Sequence, residues 1–263
     1  MKILLLSNKV PYPANDGSSI AIASMIDGLL KNNASVNLLT LNTKKHYKSS
    51  QQIKAQQPED LMLSAIDADT DLKPIRTAIN LLDGKPFHVS RFYIKSFAKK
   101  LKNLLAKENF DVIQIEGLAM MVYYDLVRRH SKAKVTLRAH NVEFQIWERH
   151  IKNETNPLKK RYLKLQVKRL KKFELKSISQ VDALLAITPE DEARFKKLHS
   201  SLKTTSIPCG INVDQLSPIP VEGKKCDLVY LASFDWQPNV QGVLWFAKNV
   251  WPLLKKRNPN ISF

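Results

Sequence analysis

The chain has 263 residues, 44% of them hydrophobic, and 42 lysines and arginines against 24 aspartates and glutamates, for a net charge of +18 and a pI near 9.8. No run approaches the roughly 18 apolar residues of a membrane-spanning helix, and two cysteines, Cys209 and Cys226, exclude a disulfide framework and fit no zinc spacing. The charge draws polyanions, whether nucleic acid, anionic membrane or phosphate-bearing substrate, without choosing among them.

Lys2 to Ser7 is a continuous apolar run, as a strand buried on both faces requires. It is too short for a secretory signal and has no small-residue cleavage site, so a cytoplasmic protein is expected. A turn-rich loop follows, NKVPYPANDGSS, stiffened by Pro11 and Pro13. Gly17 then precedes Ser18 and Ser19, candidate caps for a helix over Ile20 to Lys31. A glycine loop entering a helix N-terminus suits phosphate, because N–H groups are unpaired and the dipole is positive there. A left-handed glycine turn is an equal reading of this loop, which lacks the dinucleotide and Walker patterns.

Val36 to Leu41 reads as the second strand, Thr43 to Glu59 as a polar surface helix or excursion, and Leu61 to Ile66 as a short third strand. The acidic run from Asp67 to Asp71 reads as solvated turn residues rather than a metal site. Helices are expected over Lys73–Leu82, Ser90–Asn109 and Leu118–Arg129, with a buried strand, Phe110 to Glu116, between the last two.

KVTLRAHNVEFQIWER, from Lys134 to Arg149, is the stretch around which the rest is arranged. A strand with Val135 and Leu137 inward stops at the turn Arg138-Ala139-His140-Asn141, and a helix begins. Ligands of open parallel sheets sit beyond the carboxyl ends of strands, so His140, Asn141 and Glu143 are placed for chemistry. The competing reading makes Asn141 a helix cap and His140 loop filler.

Asn156 to Ser177 is a long helix with Leu163, Val167, Leu170 and Phe173 inward and a basic outer face that includes Lys164, Lys168, Arg169 and Lys172. Such a face is ordinarily solvated, but at this density it also suits anionic lipid. A strand, Val181 to Ile187, a Thr188-capped helix, Pro189 to Leu198, and a strand, Thr204 to Ile207, complete the unit. The alternation implies an α/β domain with a parallel sheet. Residues 1–216 form that domain, the proline-rich stretch 217–225 is a linker, and 226–263 read as the truncated start of a second Rossmann-like domain: a strand over Cys226–Leu231, a helix over Asn239–Lys256 and the first residues of a last strand. The exposed sheet of that stub predicts self-association or disorder.

Five segments, in order, resemble the retaining GT-B glycosyltransferases close to glycosyltransferase family 4: KILLLSNKVPYPANDGSSI, LRAHNVEFQIWER, DALLAITPEDEARF, IPCGINVD and DLVYLASFDWQPNVQGVLWFAKNVWPLL. The resemblance implies two Rossmann-like domains, the first for the acceptor and the second for a nucleotide-sugar donor. It implies transfer of a sugar with retention to a glycan or lipid-linked glycan. It assigns His140 to the cleft histidine that contacts the donor sugar, Gly17 and Ser18 to the donor diphosphate, and Ser233, Asp235 and Asn239 to the border of the donor site. Asp16, Glu116, Asn141 and Glu143 fall on the acceptor side. No cofactor, no metal and no nucleic acid are implied, and an anionic membrane surface, at the inner face, is a candidate partner. Two departures stand out: Gly17-Ser18 replaces paired glycines, and Cys209-Gly210-Ile211-Asn212-Val213-Asp214 replaces Asn-Gly-Val-Asp. The family's basic pair and its Glu-x7-Glu segment fall beyond Phe263, so the 263 residues alone are expected to hold donor poorly and to be inactive. The alternatives are a sugar-nucleotide 2-epimerase of the same fold, working by proton transfer, and a basic nucleic-acid-binding protein.

Overall fold

A computed structural model describes residues 1–71, 80, 84–152, 154–211, 213, 223, 226–234 and 237–263. The chain divides into two units, Met1–Ile211 and Asn212–Phe263. Apart from Asn80, the helix expected over Lys73–Leu82 lies outside the described residues, as does nearly all of the expected linker.

In the first unit, seven parallel strands stand in the order β3-β2-β1-β4-β5-β6-β7. They are β1 (Lys2–Ser7), β2 (Ser35–Thr43), β3 (Met62–Ala68), β4 (Val112–Glu116), β5 (Lys134–Ala139), β6 (Ala183–Ala186) and β7 (Thr204–Ser206). Side chains alternate across the sheet, and both faces are covered. Ile3, Leu5, Val36 and Leu38 pack with Ile22 and Ile26 of helix α1 (Gly17–Lys31). Leu4, Leu6, Leu39 and Ile115 pack into the larger core opposite. The order reverses between β1 and β4, so the loops leaving these neighbours diverge and open a crevice at their carboxyl ends.

The polar stretch after β2 contains a 3₁₀ turn, Lys44–His46, and a short helix, α2 (Ser50–Lys54). Asp67 belongs to β3 and pairs with Asn42 rather than lying in a turn. The helix expected over Ser90–Asn109 begins only at Lys95, as α4 (Lys95–Lys107), and a separate short helix, α3 (Phe87–Ser90), precedes it. The buried Tyr123 separates them: its hydroxyl donates to Phe92 O at 2.8 Å and accepts from Ile94 N at 2.8 Å. Those backbone groups would otherwise be spent within a continuous helix. Leu118 to Tyr123 is 3₁₀ before α5 (Tyr124–His130) begins. The basic helix is longer than expected, α7 (Pro157–Gln180), following α6 (Glu143–Lys152), and α8 (Pro189–Leu198) is capped by Thr188. Arg169 is not part of the free basic face: its guanidinium donates to Asn80 O at 2.8 Å.

At the amino ends of the strands the backbone is clamped by carboxylates. Asp111 accepts from Lys2 N at 2.7 Å, and Asp182 accepts from Val135 N at 2.9 Å. Asp182 also pairs with Arg128 and, at 3.2 Å, with Lys134. Despite some burial, the Val135 amide and these cations hold the Asp182 carboxyl down at about 2.

The second unit contains α9 (Gln237–Asn249) and α10 (Trp251–Arg257) where one helix is expected. Pro252 has no N–H, so the helix restarts there. Phe246, Trp251 and Phe263 cluster at ring separations of 5.0 to 6.4 Å. The strand expected over Cys226–Leu231 forms no ladder among the described residues. Leu228 N donates to Ser262 O at 3.1 Å, and Asp227 exchanges bonds with Ser262. With one backbone bond between them among the described residues, these segments form no sheet.

Candidate active site

The site grows out of the register between β4 and β5, which sets Glu116 beside Arg138. Contrary to the turn expected at Arg138, β5 continues through it, and its side chain is fully buried. Glu116 is buried too. One carboxylate oxygen accepts from Gln114 Nε2 at 2.5 Å; the other lies 3.0 Å from His140 Nε2 and 3.4 Å from Arg138 Nη1. Gln114 and Glu116 share a face because they are two apart on one strand. Burial alone would raise the Glu116 carboxyl, but the His140 bond, the Arg138 charge and the Gln114 amide together hold it below the usual range. An ionised Glu116 accepts from the Nε2–H of His140, which fixes the ring's tautomer and leaves Nδ1 as the acceptor. His140 is 18% exposed, so it lies at the boundary between this buried pair and solvent. Gly117 closes the strand end at φ 78, a left-handed conformation suited to glycine, and donates to Arg138 O at 2.9 Å.

Beyond the turn, Glu143 and Phe144 N donate to the two oxygens of Glu174 at 3.0 and 2.9 Å. The capping role that the competing reading gives Asn141 is therefore filled from α7, and Asn141 stays half-buried beside His140. Burial pushes the Glu143 carboxyl up, against the pull of His140. His88 Nε2 is 3.8 Å from Glu143 Oε2, and its ring meets Trp147 edge-on at 5.4 Å. Burial and then the charge of Arg91 push His88 down to about 4. His88 is thus neutral at physiological pH, and its contact with Glu143 is not an ion pair.

A second polar cluster lies past β1. The Lys9 ammonium, nearly buried, pairs with Asp16. Asp16, not Ser18 or Ser19, caps α1: Oδ1 accepts from both Ser18 N and Ser19 N at 3.1 Å, and Ile20 N donates to Asp16 O at 2.9 Å. Gly17 is not left-handed, its own N–H has no partner among the described residues, and a Cβ there would meet nothing. His46 lies against this cluster, lowered by burial and by Lys9 and Lys45. Arg138 joins the two clusters by donating to Ala21 O on α1 at 2.9 Å.

In the second unit Asn239 Nδ2 donates to Ser233 O at 2.9 Å, bringing those two residues together. Asp235 lies outside the described residues. No group of metal-ligating side chains occurs among the described residues, and none of the described helices is long and apolar enough to cross a membrane. Lys9, His46, His88, Arg138 and Glu174 are the site residues that sequence reasoning missed. Lys9 and Arg138 could have been found as charged residues at the carboxyl ends of β1 and β5.

The model of the family described as Glycosyltransferase Family 4 matches residues 16–215. The chain belongs to glycosyltransferase family 4. This family-4 chain is 24% identical over 266 residues to an uncharacterized 44.6 kDa protein in the cps region of Klebsiella pneumoniae, covering 99% of the chain and 63% of the relative. Among solved structures it resembles sucrose-phosphate synthase from Thermosynechococcus elongatus, with 14% identity, a TM-score of 0.52 and 83% of this chain on 51% of that one. It also resembles UGT2 of Phytolacca americana, complexed with UDP-2fluoro-glucose and pterostilbene, with 11% identity, a TM-score of 0.50 and 79% of this chain on 54% of that one. The chain thus spans a little over half the length of the proteins it matches. The α/β fold with its parallel sheet is of the GT-B glycosyltransferase type.

Proposed function

We propose that this chain forms the acceptor side of an enzyme that transfers a sugar, with retention, from a nucleoside-diphosphate sugar to a hydroxyl of a glycan or lipid-linked glycan. The observation that carries the reading is the Glu116–His140 pair at the carboxyl ends of β4 and β5, next to the strand-order reversal, in a family-4 chain. The bond from the anomeric carbon to the diphosphate breaks and the acceptor oxygen takes that carbon on the same face. The acceptor proton passes to a phosphate oxygen of the departing diphosphate. His140, oriented by Glu116, holds the reacting sugar where positive charge develops. The unpaired N–H of Gly17 and the space above its Cα suit close approach of a diphosphate oxygen. Ser18 contributes no backbone donor while Asp16 holds it, so its part is through the hydroxyl. Ser233, Asp235 and Asn239 remain our assignment for the donor border. The cps-region relative favours an acceptor in polysaccharide assembly.

Product analysis separates this from the epimerase. Turnover is expected only with acceptor present; conversion of a nucleotide sugar without acceptor would overturn the reading. His140→Ala is expected to lower turnover about 10²-fold or more. Calorimetric titration of nucleotide sugars into this chain and into a longer one names the donor.

We place the enzyme in the cytoplasm and at the inner membrane surface. Lys164, Lys168, Lys171 and Lys172 are exposed on α7, with Leu158 81% exposed at its start. A groove of about 470 Å³ between α6 and α7 has Ile151 and Val167 along it and Lys152, Lys164, Lys168 and Lys171 around it, with one acid, Glu148. Each basic residue near an anionic bilayer contributes about 1 kcal/mol. Turning those four α7 lysines to glutamate should abolish sedimentation with anionic vesicles; unchanged sedimentation removes the membrane from the proposal.

A further inference from the structure

Glu174 occupies an unusual place. Leu163, Val167 and Leu170 define the inward stripe of α7, and the next position on that stripe is a carboxylate, 2% exposed, with the buried Leu170 and Ile178 one turn away on either side. A leucine there would satisfy packing. What Glu174 does instead is reach across to α6 and accept from two successive N–H groups, one on each oxygen. These are among the N–H groups that a helix leaves unpaired at its start, and they belong to the first residues after the turn bearing His140 and Asn141.

We propose that Glu174 is a positioning residue for the His140 turn, a clamp on the start of α6 that is closed when its carboxyl is ionised and opened by protonation. This rests on the glycosyl-transfer reading only for what His140 is there to do. The two-oxygen geometry favours the carboxylate, because protonation turns one of the two acceptor oxygens into a hydroxyl, a donor and a poorer acceptor.

The groups around it bias it toward opening. Glu143 on α6 and Asp191 on α8 both face it with like charge. Asp191 is partly answered by Arg194 at 2.7 Å. The cation on the same helix, Lys171, is directed elsewhere, over the Phe144 ring at 4.8 Å and 3.9 Å from Glu148. Burial first, and these acids after it, outweigh the two amides and push the carboxyl up to about 7. The clamp therefore switches near neutrality. Above that pH both amides are held; below it one is released, and the His140 turn loosens at its far end.

The test is a pH titration by two-dimensional amide NMR, which needs no activity. In the wild-type chain the Glu143 and Phe144 amide peaks should move with a midpoint near 7, and the His140 ring protons should show an inflection at that same midpoint. Protection of the released amide from hydrogen exchange should be about tenfold higher above the midpoint than below it, the scale of one hydrogen bond. Glu174→Gln should abolish the amide titration and the protection difference, and Glu143→Gln, which removes one of the like charges facing Glu174, should keep both with the midpoint moved down. In an active protein of the relatives' length, Glu174→Gln should remove the acid limb of the kcat profile while the acceptor KM stays within twofold. Flat Glu143 and Phe144 amides from pH 5 to 9 in the wild type overturn the proposal, as does their continued titration in Glu174→Gln. If that variant does not fold, the wild-type titration decides alone. Should the glycosyl-transfer reading fail, the NMR result stands and only the kcat profile has no substrate.

Discussion

The two ends of the same sheet treat acidic residues in opposite ways. At the amino ends Asp182 sits half in water, gathers an amide, an arginine and a lysine, and is ionised throughout any physiological range. Every partner it has pulls in one direction. At the carboxyl ends the acids are pulled in two. Glu116 is buried completely yet held ionised by Arg138, His140 and Gln114; Glu143 and Glu174 are driven toward neutrality by burial, and His88 with them. An arrangement in which burial and partners conflict is poor for stability and is typical of sites that perform chemistry. The contrast sets the carboxyl edge of the sheet apart from the amino edge without reference to any relative.

The sharpest way to break the comparison is Arg138→Met. It strands a buried carboxylate at the carboxyl end and should lower stability by about 3–5 kcal/mol in urea unfolding. A loss comparable to a surface pair would mean that the two ends do not differ. Next comes His88→Gln, read against pH. The native His88 titrates at about 4, below the ordinary value of 6.5, so between those values the unfolded chain binds more protons and stability rises with pH. The variant should remove about 2 kcal/mol of that rise, a figure reduced from the full shift because the ring is partly exposed. Glu174→Gln should act with the opposite sign. A carboxyl raised to about 7 from 4.5 makes the native state the better proton binder, so its contribution falls as pH climbs through that window. From pH 5 to 8 the variant should gain about 1–2 kcal/mol relative to wild type, a figure reduced from the full shift for residual solvent screening, while the lost amide bond lowers the variant equally at every pH. The smallest effect belongs to the amino end. Asp182→Asn should lower stability by about 1 kcal/mol or less above pH 4. The wild type should lose that increment only as pH falls from 3.8 toward 2.

Much of the fold was legible because the two periodicities are clean. KILLLS and VIQIE are buried on both faces as their composition demands, and α8 starts where Thr188 and Pro189 place it. The errors came where a distant side chain takes over a local job. Tyr123 divides Phe87–Lys107 into two helices from across the core, and Glu174 caps α6 from the next helix, so neither boundary is written in its own neighbourhood. His140 and Glu116 could be read from their position after strands. His88 could not, since only packing against Trp147 and Glu143 brings it in. Glu174 did leave a trace, an acid on an otherwise apolar helical stripe with positions 163, 167 and 170, and that trace marks a buried polar partner wherever it occurs.

The adjacency of β1 and β4 has a consequence for how the protein is made. Lys2 bonds to a residue 109 positions later, so the first strand is synthesised long before its neighbour on that side. At roughly 5–20 residues per second the wait is on the order of 5–20 s. During that interval β1 can pair with β2 on one edge, while its other edge, an apolar strand with open hydrogen-bonding groups, stays available to any passing chain. Chaperone demand and misassembly during expression should therefore concentrate in nascent chains that have passed β2 and not yet released β4 from the ribosome.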